Sequence, residues 1–181
     1  MTVMERNNIT TMKGNPLTLL GPDVSVGQEA PDATVVANDL SEVKISSFIG
    51  KKLIISAVPS LDTPVCDLQT KRFNTEAGKL GDSVKILTIS MDLPFAQKRW
   101  CGAAAGVAAG ANASDKIQTV SDYRYASFGE TYGLLIKGLR LLARAVLVID
   151  TAGKIQYKEI VSEVAKEPNY DAALTALKAL K

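Results

Sequence analysis

Cys66 sits in the one stretch of this 181-residue chain where reactive chemistry looks built in. An apolar run, Leu53-Ile54-Ile55-Ser56-Ala57-Val58, leads into Pro59-Ser60-Leu61-Asp62-Thr63-Pro64-Val65-Cys66, and a helix-like pattern, Asp67-Leu68-Gln69-Thr70-Lys71-Arg72-Phe73, leads out. The cysteine therefore falls where a buried strand has ended and a helix is starting. Backbone N–H groups at a helix start point outward and carry partial positive charge. A thiolate placed there is stabilised, and the thiolate is the nucleophilic form. The competing reading is a small buried hydrophobe, since free cysteine is among the most buried residue types. A Pro-containing turn and a threonine three places back argue against it, because an inert cysteine needs neither.

Thr63 lies in the same turn, and its hydroxyl both donates and accepts hydrogen bonds. It could accept from a bound substrate while donating to the sulfur, or it could simply cap the helix. Pro59 and Pro64 fix φ and shape the loop; their functional reading is to shield the sulfur from solvent. Cys101 is the second of two cysteines, and the chain has no histidine. That composition excludes Ser-His-Asp and Cys-His machinery, histidine metal sites, and a four-ligand structural zinc site within one chain.

The rest of the composition is that of an ordinary globular protein, with 46% hydrophobic and 22% charged residues. A net charge of +2 gives no argument for nucleic acid or an acidic membrane as partner. No apolar run is long enough to span a membrane, and the first residues lack the pattern of a signal peptide. The expected compartment is cytoplasmic and reducing. There a cysteine pair means either redox catalysis or two unrelated free thiols.

The elements that must position these residues can be read in order. Ile9–Met12 and Leu17–Leu20 flank Lys13-Gly14-Asn15-Pro16 and predict an N-terminal hairpin. Short strands are expected over 32–37 and 43–45. Leu53–Val58 reads as a strand covered on both faces. The helix after Cys66 is expected to place Leu68, Phe73, Ala77 and Leu80 inward and to end at Gly81-Asp82. Val84–Ser90 is a second core strand, and Pro94 suits the first turn of a helix carrying Phe95, Trp100 and Cys101. Phe95 and Trp100 are expected to pack in or around the core. The Ala/Gly-rich residues 102–113 read as a loop or a frayed helix end. A strand is expected over 117–120, a short helix over 125–132, a third core strand over 143–150 forming a hairpin with 155–161, and a last helix over 170–180 with Ala173, Leu174, Leu177 and Leu180 on one face. This order predicts one α/β domain over residues 1–181 with a mixed central sheet flanked by helices.

Pro59-x-x-x-Thr63-x-x-Cys66 resembles the active-site motif of peroxiredoxins, and Ser60-Leu61-Asp62-Thr63-Pro64-Val65-Cys66 resembles the thiol peroxidase subfamily, whose members are atypical two-cysteine peroxiredoxins. Arg99-Trp100-Cys101-Gly102, Leu142–Asp150, Glu167–Leu174 and the hairpin around Gly14 agree with it. The likeness covers nearly the whole chain and keeps its order. It implies a thioredoxin-like fold with an N-terminal β-hairpin. It implies a peroxidase in which Cys66 is the peroxidatic cysteine, becoming a sulfenic acid on attacking a peroxide, while Thr63 orients the substrate and Pro59 lines the pocket. It implies that Arg144 lies near the sulfur, with Arg140 as its rival, and that Cys101 is the resolving cysteine that forms a disulfide with Cys66. Hydrogen peroxide and organic hydroperoxides are the implied substrates, thioredoxin the implied reductant and a homodimer the implied assembly. No cofactor or metal is called for. A redox sensor using the same Cys66, or a one-cysteine peroxidase with an inert Cys101, are the alternatives; a disulfide oxidoreductase is disfavoured by the lack of a Cys-x-x-Cys pair.

Overall fold

The computed structural model describes residues 3–77, 79–104 and 117–180. The chain opens with β1 (Glu5–Met12) and β2 (Asn15–Leu20), paired antiparallel. The hairpin is longer than expected and turns at Lys13-Gly14, both at positive φ (52° and 79°). That is the two-residue turn whose twist matches the strands, which explains why Asn15-Pro16 falls into β2 instead of the turn. Next come β3 (Thr34–Val36), β4 (Glu42–Lys44), a 3-10 turn at Ile45–Phe48, β5 (Lys52–Ala57), α1 (Pro64–Ala77), β6 (Val84–Ser90) and α2 (Pro94–Ala104). The chain continues through β7 (Ile117–Ser121), α3 (Ser127–Thr131), β8 (Leu135–Ile136), β9 (Ala145–Ile149), β10 (Ile155–Ile160) and α4 (Tyr170–Ala179). Of the Ala/Gly-rich stretch, 102–104 close α2, and 105–113 lie outside the described residues.

Among the described residues the strands make two sheets. The larger runs β10-β9-β5-β6-β7-β3-β4, and the smaller β1-β2-β8. β5, β6 and β7 are parallel, joined by α1 and α2 as crossovers, while β9 and β10 add antiparallel strands on one side and β3 and β4 on the other. The mixed central sheet flanked by helices, with its N-terminal hairpin, is the arrangement that the element order predicts.

Strand alternation sorts the side chains to two faces. Leu53, Ile55, Leu87, Ile89, Val120, Leu147 and Ile149 bury against α3 and the small sheet, through Phe128, Tyr132, Leu19 and Ile136. Ile54, Ile86, Val146 and Val148 face the other way and pack on Phe73 of α1 and on Ala173, Leu174 and Leu177 of α4. Asn169 caps α4 by accepting from the Ala172 N–H at 3.0 Å, which starts that helix where its apolar stripe begins.

On this second face the apolar character gives out toward the carboxyl ends of the parallel strands. Ser56 ends β5, Thr88 and Ser90 end β6, Thr119 and Ser121 end β7, and all are buried. Arg144, just before β9, has the parity of Val146 and Val148 and so points to the same face. A row of buried polar groups at the carboxyl ends of parallel strands is where α/β folds place their sites. Gly21, where the hairpin joins the domain, has φ +104°, and a Cβ there would overlap the Glu130 carbonyl oxygen; the close approach holds the hairpin against α3.

Candidate active site

α1 begins at Pro64, earlier than the pattern after Cys66 suggests. Proline suits the first helical position because its missing N–H has no intrahelical partner to lose. Thr63 is the residue before it, and its carbonyl accepts from the Asp67 N–H at 2.9 Å to start the helical ladder. Cys66 therefore lies in the first turn, among the N–H groups that an α-helix leaves without intrahelical acceptors. The buried face of α1 is Cys66, Gln69, Thr70 and Phe73, at i, i+3, i+4 and i+7. Leu68, expected inward, is 52% exposed, because the helix turns Cys66, Gln69, Thr70 and Phe73 to the sheet instead.

Cys66 is 0% exposed and packs with Val58 and Leu61, with Trp100 of α2 laid against the group. Burial alone would fit the inert reading of this cysteine, but its polar partner does not. Arg144, itself only 2% exposed, donates from Nη2 to Cys66 Sγ at 3.2 Å. Its Nη1 donates to Gln69 Oε1 at 2.7 Å, and its Nε to the Val164 carbonyl at 2.9 Å. Gln69 is fixed in turn, its Nε2 donating to Ser56 Oγ at 2.7 Å. The guanidinium is thus held in one orientation by β5, α1 and the loop after β10, with its third arm on the sulfur. Arg140 is exposed, in a turn at φ 52°, and makes no such contact.

Thr63 is exposed, and its hydroxyl donates to the Ser60 carbonyl at 3.0 Å, not to the sulfur. With its proton so placed, the oxygen presents its lone pairs as an acceptor. Pro59 is buried at the end of the β5 run and shapes the loop. The loop is pinned from α2's side. Asp92 accepts from the Ser60 hydroxyl at 2.7 Å and from the Leu61 N–H at 2.8 Å. A groove of about 360 Å³ lined by Leu61, Asp62, Asp92, Ala96, Arg99 and Trp100 opens beside it. A larger surface groove, between α1 and the start of α4, has none of Thr63, Cys66 or Arg144 in its lining.

Cys101 is half-buried on α2, its Sγ 3.4 Å from Thr119 Oγ1. Both cysteines are free thiols with separate partners. Gln97, one turn earlier, anchors α2 through Nε2 to Ser90 Oγ and the Val120 carbonyl, each at 2.9 Å. Phe95, expected to pack, is 65% exposed, since α2 meets the sheet through Gln97 and Cys101. The structure thus brings Cys66 and Arg144 together, leaves Thr63 at the rim of the same loop, and holds Cys101 apart on the next helix. Sequence reasoning missed Gln69, Ser56, Ser90 and Asp92. A serine within or at the end of each of two apolar strands and a glutamine three residues after the cysteine were the available signals. Among the described residues no cluster of three or more His, Cys, Asp or Glu could hold a metal ion, and no helix is long and apolar enough to cross a membrane.

Residues 25–174 match the Redoxin family. The chain is 55% identical over 170 residues to the thiol peroxidase of Bacillus subtilis (strain 168), covering 94% of this chain and 96% of that one. It is 53% identical over 168 residues to a thiol peroxidase of Staphylococcus aureus (strain Mu50), covering 93% and 96% of the two chains. The crystal structure of a peroxiredoxin-like protein from Aquifex aeolicus superposes with a TM-score of 0.85 at 40% identity, with 100% of each chain covered. These likenesses bear out the expected thioredoxin-like class of the fold.

Proposed function

The chain belongs to the Redoxin family and is a peroxiredoxin-type peroxidase, and on that premise we propose that it reduces hydrogen peroxide and organic hydroperoxides through the thiolate of Cys66. One observation carries the assignment to Cys66: the buried Arg144 guanidinium ends on its sulfur. The other acceptors of that guanidinium are a neutral carbonyl and a neutral amide. A cation enclosed among neutral partners favours an anion beside it, and a thiolate at Cys66 supplies one.

The thiolate attacks the terminal oxygen of the peroxide. The S–O bond forms as the O–O bond breaks, the departing oxygen takes a proton and leaves as water or alcohol, and Cys66 becomes a sulfenic acid. Thr63, its lone pairs free to accept from the peroxide O–H, orients the substrate. Pro59 shapes the pocket wall. Arg144 and the N–H groups of the first turn of α1 stabilise charge that develops on the peroxide oxygens. Cys101 then attacks the sulfenic sulfur, forming a Cys66–Cys101 disulfide and releasing water. A disulfide needs Cα atoms roughly 4.4–6.8 Å apart and aligned Cβ vectors. Cys66 is sealed against Arg144 while Cys101 lies against Thr119, so part of α1 or α2 has to unwind first. Thioredoxin returns both thiols by exchange. The chain works as one domain over residues 1–181, as a homodimer, in the cytoplasm, where a reducing poise keeps thioredoxin supplied.

The test is steady-state peroxide consumption with thioredoxin, its reductase and NADPH. Wild-type protein turns over, and Cys66→Ser does not. Negligible wild-type turnover would remove the thioredoxin-dependent cycle, and persistent turnover in Cys66→Ser would move the nucleophile elsewhere.

A further inference from the structure

Asp92 belongs to neither cysteine helix, yet its carboxylate is where the two halves of the site meet. It lies between Ser90, the last residue of β6, and Pro94, the first of α2. Its Oδ1 accepts from the Ser60 hydroxyl at 2.7 Å, and its Oδ2 from the Leu61 N–H at 2.8 Å and the Ser90 hydroxyl at 2.7 Å. Its backbone is fixed as well: the N–H donates to Ser90 Oγ at 3.3 Å, and the carbonyl accepts from the Ser121 hydroxyl. Ser60 passes the constraint on. Its Oγ accepts from the Asp62 N–H at 3.2 Å, and its carbonyl takes the Thr63 hydroxyl at 3.0 Å. One half-buried carboxylate therefore holds the loop that sets Thr63 and the start of α1, while its own backbone holds the entry to α2.

This matters because the proposed cycle asks two incompatible things of that loop. To meet peroxide, Cys66 must be seated against Arg144. Where α1 is the helix that unwinds, it must leave to meet Cys101. Hydrogen bonds to an ionised carboxylate are stronger than those between neutral groups. The bonds from Ser60 and Leu61 to Asp92 exist only while the loop is seated.

We infer that Asp92 is a positioning residue that sets the balance between the seated loop, which reacts with peroxide, and the released loop, in which Cys66 reaches Cys101. The inference rests on the Cys66–Cys101 cycle proposed above. The sulfenic acid has two fates, and their ratio reports the balance. In the seated loop a second peroxide oxidises it: Cys66–SOH and ROOH give Cys66–SO2H and ROH, the sulfur giving up two electrons as the O–O bond breaks. In the released loop the Cys101 thiol attacks it, giving the disulfide and water.

The experiment treats the reduced full-length chain with graded hydrogen peroxide. Sulfinic acid and disulfide are quantified by intact mass, and disulfide formation is followed by stopped-flow fluorescence of Trp100. Asp92→Asn should raise the peroxide concentration that gives half sulfinic acid by about tenfold, the scale of one lost charge-assisted hydrogen bond. It should speed disulfide formation and slow the first oxidation. Ser60→Ala should act in the same direction but less, and it carries the test alone if Asp92→Asn does not fold. The double variant should fall clearly short of the sum of the two single effects, because the two residues share one bond; independent loosening of the fold would add. A wild-type product ratio in folded Asp92→Asn, or in Ser60→Ala where that variant does not fold, or additive effects of the two substitutions, overturns the inference. Absence of any Cys66–Cys101 linkage in wild type would instead overturn the cycle it rests on.

Discussion

Arg144 Nη2 lies 3.2 Å from Cys66 Sγ, across 78 residues of sequence, and both residues are buried. The contact depends on structure contributed from far apart. β9 must pair with β5 to bring Arg144 beside the start of α1. The Val164 carbonyl must be in place for Nε, and Val164 is itself tied to the N-terminal hairpin, its N–H donating to the Thr11 carbonyl at 2.9 Å. The hairpin thus reaches the sulfur through one residue of a loop and one guanidinium.

Arg144→Lys separates charge from geometry. An ammonium keeps the charge but cannot serve three fixed acceptors as a planar fork does. The rate constant for oxidation by peroxide, measured by stopped flow, should fall about a hundredfold, the scale seen when one preorganised donor is removed. A lysine variant that reacts at the native rate would detach the guanidinium from the chemistry.

Gln69 makes a sharper test, because it touches the arginine and not the sulfur. Gln69→Leu leaves Arg144 Nη1 buried without its acceptor and should cost about 1–3 kcal/mol in urea unfolding. Gln69→Glu keeps the size and offers the guanidinium a carboxylate in place of the neutral amide. That carboxylate competes with the thiolate for the cation, so peroxide oxidation should slow although the protein stays folded. Native rates in both variants would mean that Gln69 does not orient Arg144.

The sheet was legible because its core strands are apolar and Pro94 marks a helix start, whereas Pro64, read as shaping the loop, proved to be the first residue of α1. β8 escaped because two residues carry no period, and it exists only through its pairing with β2. Cys66 stood out through its own turn, but nothing local distinguishes Arg144 from Arg140. Only the neighbouring position of β5 does that, and the family resemblance supplied the preference beforehand. Gln69, Ser56, Ser90 and Asp92 were passed over for a physical reason. Polar side chains are ordinarily solvated; Gln69 and Ser56 are buried because they meet each other and Arg144, Ser90 because Asp92 and Gln97 close on it, and Asp92 is half-buried against Ser60 and Leu61.

Glu163 ties the hairpin to the loop that carries Val164, and its effect should depend on pH. Its carboxylate accepts from the Gly14 N–H at 3.0 Å, the Thr11 hydroxyl at 2.8 Å and the Lys13 N–H at 3.1 Å. These bonds, the one from Gly14 foremost, hold its pKa down to about 2 from the ordinary 4.5. The folded state therefore binds the proton less well than the unfolded state. The stabilisation is complete above the unfolded value and is lost as pH falls from about 4.5 towards about 2. Glu163→Gln should lower Tm at pH 7, and the gap from wild type should close across that window. A gap that stays constant with pH would mean that the carboxylate charge does not hold the hairpin.

Cys101→Ser isolates the second half of the cycle. The serine keeps the side-chain volume nearly unchanged beside Thr119, so the seat of Cys66 against Arg144 is left intact. The first oxidation by one equivalent of peroxide should run at the native rate. The sulfenic acid then has no resolving thiol, because the chain holds only two cysteines. It should accumulate, be trapped by a dione reagent at Cys66, and pass to the sulfinic acid as more peroxide is added. Turnover supported by thioredoxin should fall at least tenfold, since the disulfide that thioredoxin would attack cannot form. Should the variant recycle fully, Cys101 does not resolve, and the sulfenic acid at Cys66 is reduced by an external thiol directly.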